Sequence, residues 1–310
     1  MMHWLPCWLL CAALSLTPNA HGKELNGFVL DEPLVPAKEI VRGGPPRDGI
    51  PSLKEPQFVA ADEADYLGTK DRVLGIDRNG ERRAYPVRIL NYHEVVNDNV
   101  GGETIVITYC PLCGTGMAFV GTVGERPLEF GVSGLLYNSD VLMFDRQTES
   151  LWSQIKKLAI NGPLKGSALE QVALSHTTWQ DWRTRHPDTT VLSNDTGYRR
   201  NYEVDPYPNY GRDQKLYFPV SKTSRAYKRK ELVMGLEINQ QFRAYPFKEL
   251  NAGPTRFRDT FQGEQFEVLY HPANDTARIL DDSDQEIPTT LAFWFAWYAF
   301  HPDTEVYRNN

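Results

Sequence analysis

The chain has 310 residues, of which 41% are hydrophobic and 24% charged, a composition that belongs to folded globular proteins rather than disordered ones. Its 33 basic and 40 acidic side chains leave a formal net charge of -7, so the basic footprint of a nucleic-acid-binding protein is absent.

From the N-terminus, residues 1–20 differ in kind from the rest. An apolar run from Leu5 to Leu16 leads into Thr17-Pro18-Asn19-Ala20. That run falls short of the roughly 20 apolar residues a membrane-spanning helix needs. It fits the hydrophobic region of a signal peptide cleaved near Ala20, although only His3 stands in for the usual basic residues before it. The expectation is an exported protein, periplasmic or extracellular, with no transmembrane span later in the chain. Lipidation at Cys11 is a weaker reading, because Trp8-Leu9-Leu10 lacks the small residues that processing prefers. Removal of the signal takes Cys7 and Cys11 with it and leaves Cys110 and Cys113. One local pair is no disulfide framework; it is either a redox dithiol or half of a metal site.

Residues 21–57 read as an extended arm, with a turn-rich stretch from Gly43 to Pro51. Beyond it the chain matches itself. Arg72-Val73-Leu74-Gly75-Ile76 and Arg83-Ala84-Tyr85-Pro86 return as Leu232-Val233-Met234-Gly235-Leu236 and Arg243-Ala244-Tyr245-Pro246. Trp179, Trp182 and His186-Pro187-Asp188-Thr189 return as Trp294, Trp297 and His301-Pro302-Asp303-Thr304. The two matches keep their order, which reads as a duplicated unit. A first repeat is assigned to 58–196, a Tyr-rich connector to 197–217 and a second repeat to 218–310. The second match is about 45 residues closer than the first, so the first repeat carries an extra segment between Thr115 and Thr178.

In chain order, Val73–Ile76 and Arg83–Val87 predict a hairpin across Arg78-Asn79-Gly80. Ile89 to Asn97 reads as a short helix, and Thr104 to Tyr109 as a buried, β-branched strand that ends at Cys110. In the extra segment, Phe130–Tyr137 and Val141–Phe144 flank Asn138-Ser139-Asp140 as a second hairpin. Trp179 to Arg185 reads as a helix stopped by Pro187, with Trp179 and Trp182 on one face. The predicted fold is α+β and strand-rich: two related halves from an internal duplication, packed into one body, the first with an extra hairpin-containing segment.

The sharpest constellation is Tyr109-Cys110-Pro111-Leu112-Cys113-Gly114-Thr115-Gly116-Met117. Cysteines two residues apart chelate one ion or close a small disulfide, and Met117 adds a third soft donor. Thiolate with thioether selects soft ions, so copper is the favoured cofactor. Gly114 and Gly116 are poor helix formers, which argues against the strand-to-helix setting of thioredoxin-like cysteines. Two cysteines cannot close a zinc site alone, so histidine or carboxylate would have to complete it. His93, just before the cysteine strand, is one candidate, with Glu94 beside it. His271 is another, because Leu269-Tyr270-His271-Pro272 aligns with Thr108-Tyr109-Cys110-Pro111. Were the halves to pack about a pseudo-twofold axis, both strand ends would face a common region. Asp140, Asp145 and Arg146 lie in the extra segment; Asp145-Arg146 could support the site or contact substrate, with a surface salt bridge as the default role. Gly131-Val132-Ser133-Gly134 lacks the closing glycine and following helix of a nucleophile elbow. Metal binding, thiol–disulfide exchange and a non-catalytic binding module all remain open, as does the identity of any small-molecule or protein partner.

Several motifs together resemble the domain-of-unknown-function 3179 family: Gly43 to Pro51, Cys110-Pro111-Leu112-Cys113, Tyr137-Asn138-Ser139-Asp140, Asp145-Arg146-Gln147-Thr148, Asp205-Pro206-Tyr207 and Phe293-Trp294-Phe295-Ala296-Trp297. The resemblance implies an exported, mostly bacterial protein. It implies no reaction, ligand or catalytic residue.

Overall fold

A two-residue turn of one kind recurs through the fold, and five of its copies organise the main sheets. Asn79-Gly80, Gly101-Gly102, Asn138-Ser139, Asn239-Gln240 and Gln262-Gly263 all have positive φ at both residues. Each joins two antiparallel strands whose last and first residues pair directly: Arg78 with Glu81, Val100 with Glu103, Tyr137 with Asp140, Ile238 with Gln241, and Phe261 with Glu264. Two-residue turns of this kind match the right-handed twist of the strands they join, and Asn and Gly tolerate the conformation best. In the computed structural model, which describes Met1 and residues 22–309, each hairpin forms the heart of one sheet, and the five sheets adopt a β-propeller-like arrangement. Cys7, Cys11 and the apolar run of residues 5–16 lie outside the described residues.

The first blade orders its strands Ser175–Thr178, Arg72–Arg78, Glu81–Pro86, Thr190–Leu192 and Phe58–Ala60. The second runs Gln171–Val172, Thr115–Val120, Glu103–Cys110, Val95–Val100 and Leu53–Lys54. The third contains Leu158–Asn161, Leu151–Ser153, Asp140–Asp145, Phe130–Tyr137 and Ile40–Arg42. A fourth is built from Thr290–Phe293, Leu232–Ile238, Gln241–Pro246 and Glu305–Val306, and a fifth from Arg256–Phe261, Glu264–His271 and Thr276–Leu280.

This overturns the expected α+β class and the two-half duplication. Among the described residues strand accounts for 42% and helix for 11%, and no helix exceeds seven residues. The repeating unit is the blade. The self-matches fall at like positions of the first and fourth blades, where the same packing is built twice. Gly75 and Gly235 lie beneath the indoles of Trp182 and Trp297, so close that an added Cβ would stand 2.2 and 2.1 Å from ring carbons. Tyr85 and Tyr245 donate to Asp98 and Asp259 at 2.6 and 2.7 Å. The extra segment is the third blade. Its hairpin strands are buried at every position rather than alternating, because both faces meet apolar neighbours.

Two local expectations also change. The predicted helix of 89–97 is Val87–His93, ended by Glu94 at φ 57, and Val95–Val100 is a strand. Gly131 to Gly134 forms a bulge, in which the Ser133 hydroxyl caps Leu142 O and accepts from Leu135 N at 3.0 Å. Asp48 of the N-terminal segment takes a two-pronged ion pair from Arg146 at 2.8 and 2.9 Å. Asp145 accepts from Trp152 Nε1 at 2.9 Å and Thr148 N at 2.7 Å, so both acidic motif residues hold local structure. No helix of the described residues is long and apolar enough to cross a membrane.

Candidate metal centre

Cys110 ends the central strand of the second blade, and Cys113 N turns back to Cys110 O at 3.2 Å. Gly114, at φ +63, then reverses the chain into Thr115–Val120, which pairs with the strand just left so that Thr115 faces Cys110. The loop is held from outside its own blade. Phe293 N, in the fourth blade, donates to Cys113 O at 2.8 Å, and Gly116 N lies 3.2 Å from His176 Nε2 in the first. Both cysteines are free thiols and fully buried.

The third blade completes the cluster. Its hairpin places Asn138 and Ser139 inside the protein, an unusual setting for a polar turn. Asn138 Oδ1 accepts from Ser221 N at 2.7 Å, and Ser139 Oγ donates to Phe218 O at 2.8 Å. Ser139 O accepts from the thiols of Cys113 and Cys110, at 3.4 and 3.7 Å. The next residue, Asp140, is fully buried, and the sulfurs of Cys110 and Cys113 and one of its oxygens all lie within 4.8 Å of one another. Asp140 Oδ2 accepts from Ile155 N at 3.1 Å, whereas Oδ1 is buried without a hydrogen-bond partner among the described residues.

Burial governs the charges here. It lifts the Asp140 carboxyl to about 7 and that of Glu94, which lies alongside, to about 8, with Asp140 adding to the second effect. Burial likewise pushes the Cys110 thiol up and the Cys113 thiol well up. Left to itself the cluster therefore keeps its protons near neutral pH. A cation reverses this, because thiolate and carboxylate ligands release protons as they bind it. Tyr207 and Tyr210, from the Tyr-rich segment, lie close enough to sense these groups. Burial raises both phenols, with Glu94 and Cys110 adding at Tyr207 and Cys113 at Tyr210. The Tyr210 hydroxyl is also buried, with no hydrogen-bond partner among the described residues.

The other proposed ligands are placed as follows. Met117 is buried in the same apolar cluster as the two cysteines. His93 is buried, but both ring nitrogens are engaged, Nδ1 with Pro51 O at 2.8 Å and Nε2 with the Tyr202 hydroxyl at 2.6 Å. His271 is exposed at the end of its strand in the fifth blade. Neither histidine belongs to the group gathered round the thiols. Asp140 was missed as a ligand because 27 positions separate it from Cys113; its signal was a hairpin turn closing onto an otherwise apolar segment.

These features define a propeller-like β-protein with a buried dithiol–carboxylate centre at the meeting of its second and third blades. A family profile described as "Protein of unknown function (DUF3179)" matches residues 47–304, most of the chain, and the protein belongs to that family. No curated protein and no solved structure matches it.

Proposed function

We propose that this is an exported metal-binding protein that holds one soft ion, copper(I) first among the candidates, between Cys110 and Cys113, with Asp140 as third donor. The observation that carries the proposal is the gathering of these three side chains, with one Asp140 oxygen buried and unpartnered. Such an oxygen is costly unless something completes it. Two thiols within reach of one ion favour copper(I), and Met117 in the same cluster offers a thioether. The carboxylate also suits zinc, which accepts sulfur and oxygen donors together. Thiol–disulfide exchange is less well supported, since attack requires an accessible thiolate and these thiols are buried with raised pKa values. Export rests on the apolar run of residues 5–16.

The test is titration of the reduced chain with copper(I) and, separately, zinc(II), each against a competing chelator. One ion per chain is expected, with copper(I) held more tightly. Cys113→Ser should abolish binding, and Asp140→Asn should weaken it by about tenfold or more, the scale seen for groups that tune a metal site. Unchanged stoichiometry in Cys113→Ser would remove the cysteine pair from the site, and tighter zinc than copper(I) would overturn the ion but not its place.

A further inference from the structure

A second feature lies between the first and fifth blades, where a cleft of about 760 Å³ is lined by Ser175, Trp182, Arg185 and His186 on one side and by Arg278 and Glu286 on the other. Its cations are not equally satisfied. Arg82, at the rim, is fully paired, donating to Asp77 at 2.8 Å and Asp188 at 2.7 Å. Arg185 donates through Nε to Asp181 Oδ2 at 2.9 Å. Its Nη2 forms an ion pair with the same oxygen at 2.9 Å, and its Nη1 lies 3.2 Å from His186 Nε2, so this guanidinium is engaged. Asp181 is further occupied by Thr177 Oγ1 at 2.8 Å.

Arg278 is the more telling group. Its side chain is only 23% exposed, yet its ion pair with Glu286 is 3.9 Å long, beyond hydrogen-bonding reach. Glu286 instead accepts from Ser175 Oγ at 2.7 Å. Burial depresses the Arg278 guanidinium, and the nearby Arg185 charge depresses it further. Arg278 therefore brings to this polar cleft a guanidinium without a close acceptor among the described residues, with the Arg185 charge beside it. The planar fork of arginine matches the paired oxygens of a carboxylate or phosphoryl group, and such charge-assisted bonds are about twice as strong as neutral ones.

We infer that this cleft binds a small oxyanion, carboxylate or phosphoryl, on Arg278, with the Arg185 charge adding to the attraction. Glu286 opposes the ligand from the same wall and limits the charge the site accepts. The inference is independent of the metal centre and stands or falls without it.

Calorimetric titration of the full chain in chloride buffer at low ionic strength tests it, with malonate in one arm and inorganic phosphate in the other. Saturable one-to-one binding of at least one probe is expected, and the arm that saturates identifies the head group. Arg278→Gln should weaken that binding by about tenfold or more, a loss of about 1.4 kcal/mol or more. Arg278→Lys should weaken it too, because the fork is lost. Glu286→Gln should tighten it by removing a like charge, and this variant decides the matter should Arg278→Gln fail to fold. Arg82→Gln, already paired elsewhere, should bind within about twofold of the parent. Absence of binding in both arms would overturn the proposal, as would affinities unmoved by both Arg278→Gln and Glu286→Gln.

Discussion

Asp140→Asn in the reduced, metal-free protein removes one ionisable group while keeping its shape, and its effect on stability follows from the carboxyl's burial. In the unfolded chain an aspartate titrates near 3.9, whereas burial holds the folded carboxyl at about 7. A carboxyl raised by folding stabilises the native state at low pH, and that contribution is lost as pH rises towards the folded value. Between pH 5.5 and about 7 the folded group keeps a proton that the unfolded chain has released, at about 1.4 kcal/mol per pH unit. Asp140 alone should therefore make folding about 2 kcal/mol less favourable at pH 8.5 than at pH 5.5. Glu94, held at about 8, adds a loss of the same sign in parent and variant alike. The assay is urea unfolding at these two pH values with a reductant and a chelator present. On going from pH 5.5 to 8.5, Asp140→Asn should gain about 2 kcal/mol relative to the parent. Equal pH dependence in the two proteins would refute the claim that Asp140 is a neutral, buried acid in the metal-free state.

Gly75→Ala and Gly235→Ala press a methyl group to 2.2 and 2.1 Å from Trp182 and Trp297, so each should cost about 3 kcal/mol and lower Tm by roughly 5 °C in a thermal scan. Gly80→Ala, in open space but at φ +81, should cost only about 1 to 2 kcal/mol. Burial depresses His93 and His176 to about 4 and His301 to about 3, and a histidine buried neutral loses stability as pH falls from about 6.5 towards its folded value. Set against the carboxyls, which lose stability as pH rises, this places the stability maximum of the metal-free protein at about pH 6, so a urea midpoint that climbs steadily from pH 6 to 8 would contradict it. Tyr85→Phe and Tyr245→Phe, each removing a buried bond to a carboxylate, should cost about 1 to 3 kcal/mol apiece and add in the double variant to within about 0.5 kcal/mol, because they lie in different blades.

Much of the local structure was legible in the sequence. Asn79-Gly80 announced its hairpin, the β-branched run of 104–109 its strand, and the repeated Gly, Tyr and Trp positions a repeated packing. The architecture was not legible, because matching the first blade to the fourth suggested halves when the repeating unit is smaller. The third blade looked like an insertion because the second self-match lies about 45 residues closer than the first, and its hairpin was legible although the Asn138-Ser139 turn lacks glycine. That conformation is retained because the buried hairpin tip satisfies Asn138, and Ser139 turns its carbonyl to the thiols. The cysteines were visible from spacing alone. Asp140 was not, since only the packing of one blade on the next brings it to them. The histidines were sought as the commonest partners of a cysteine pair; His93 instead ties Pro51 to Tyr202.

X-ray absorption at the edge of the bound ion, on the reduced chain loaded with one equivalent, tests the metal centre most directly. The proposed site predicts two sulfur neighbours and one oxygen, at about 2.3 Å and about 2.0 to 2.2 Å when the ion is zinc, with the oxygen lost in Asp140→Ala. A shell of nitrogen and oxygen alone, with no sulfur, would contradict it.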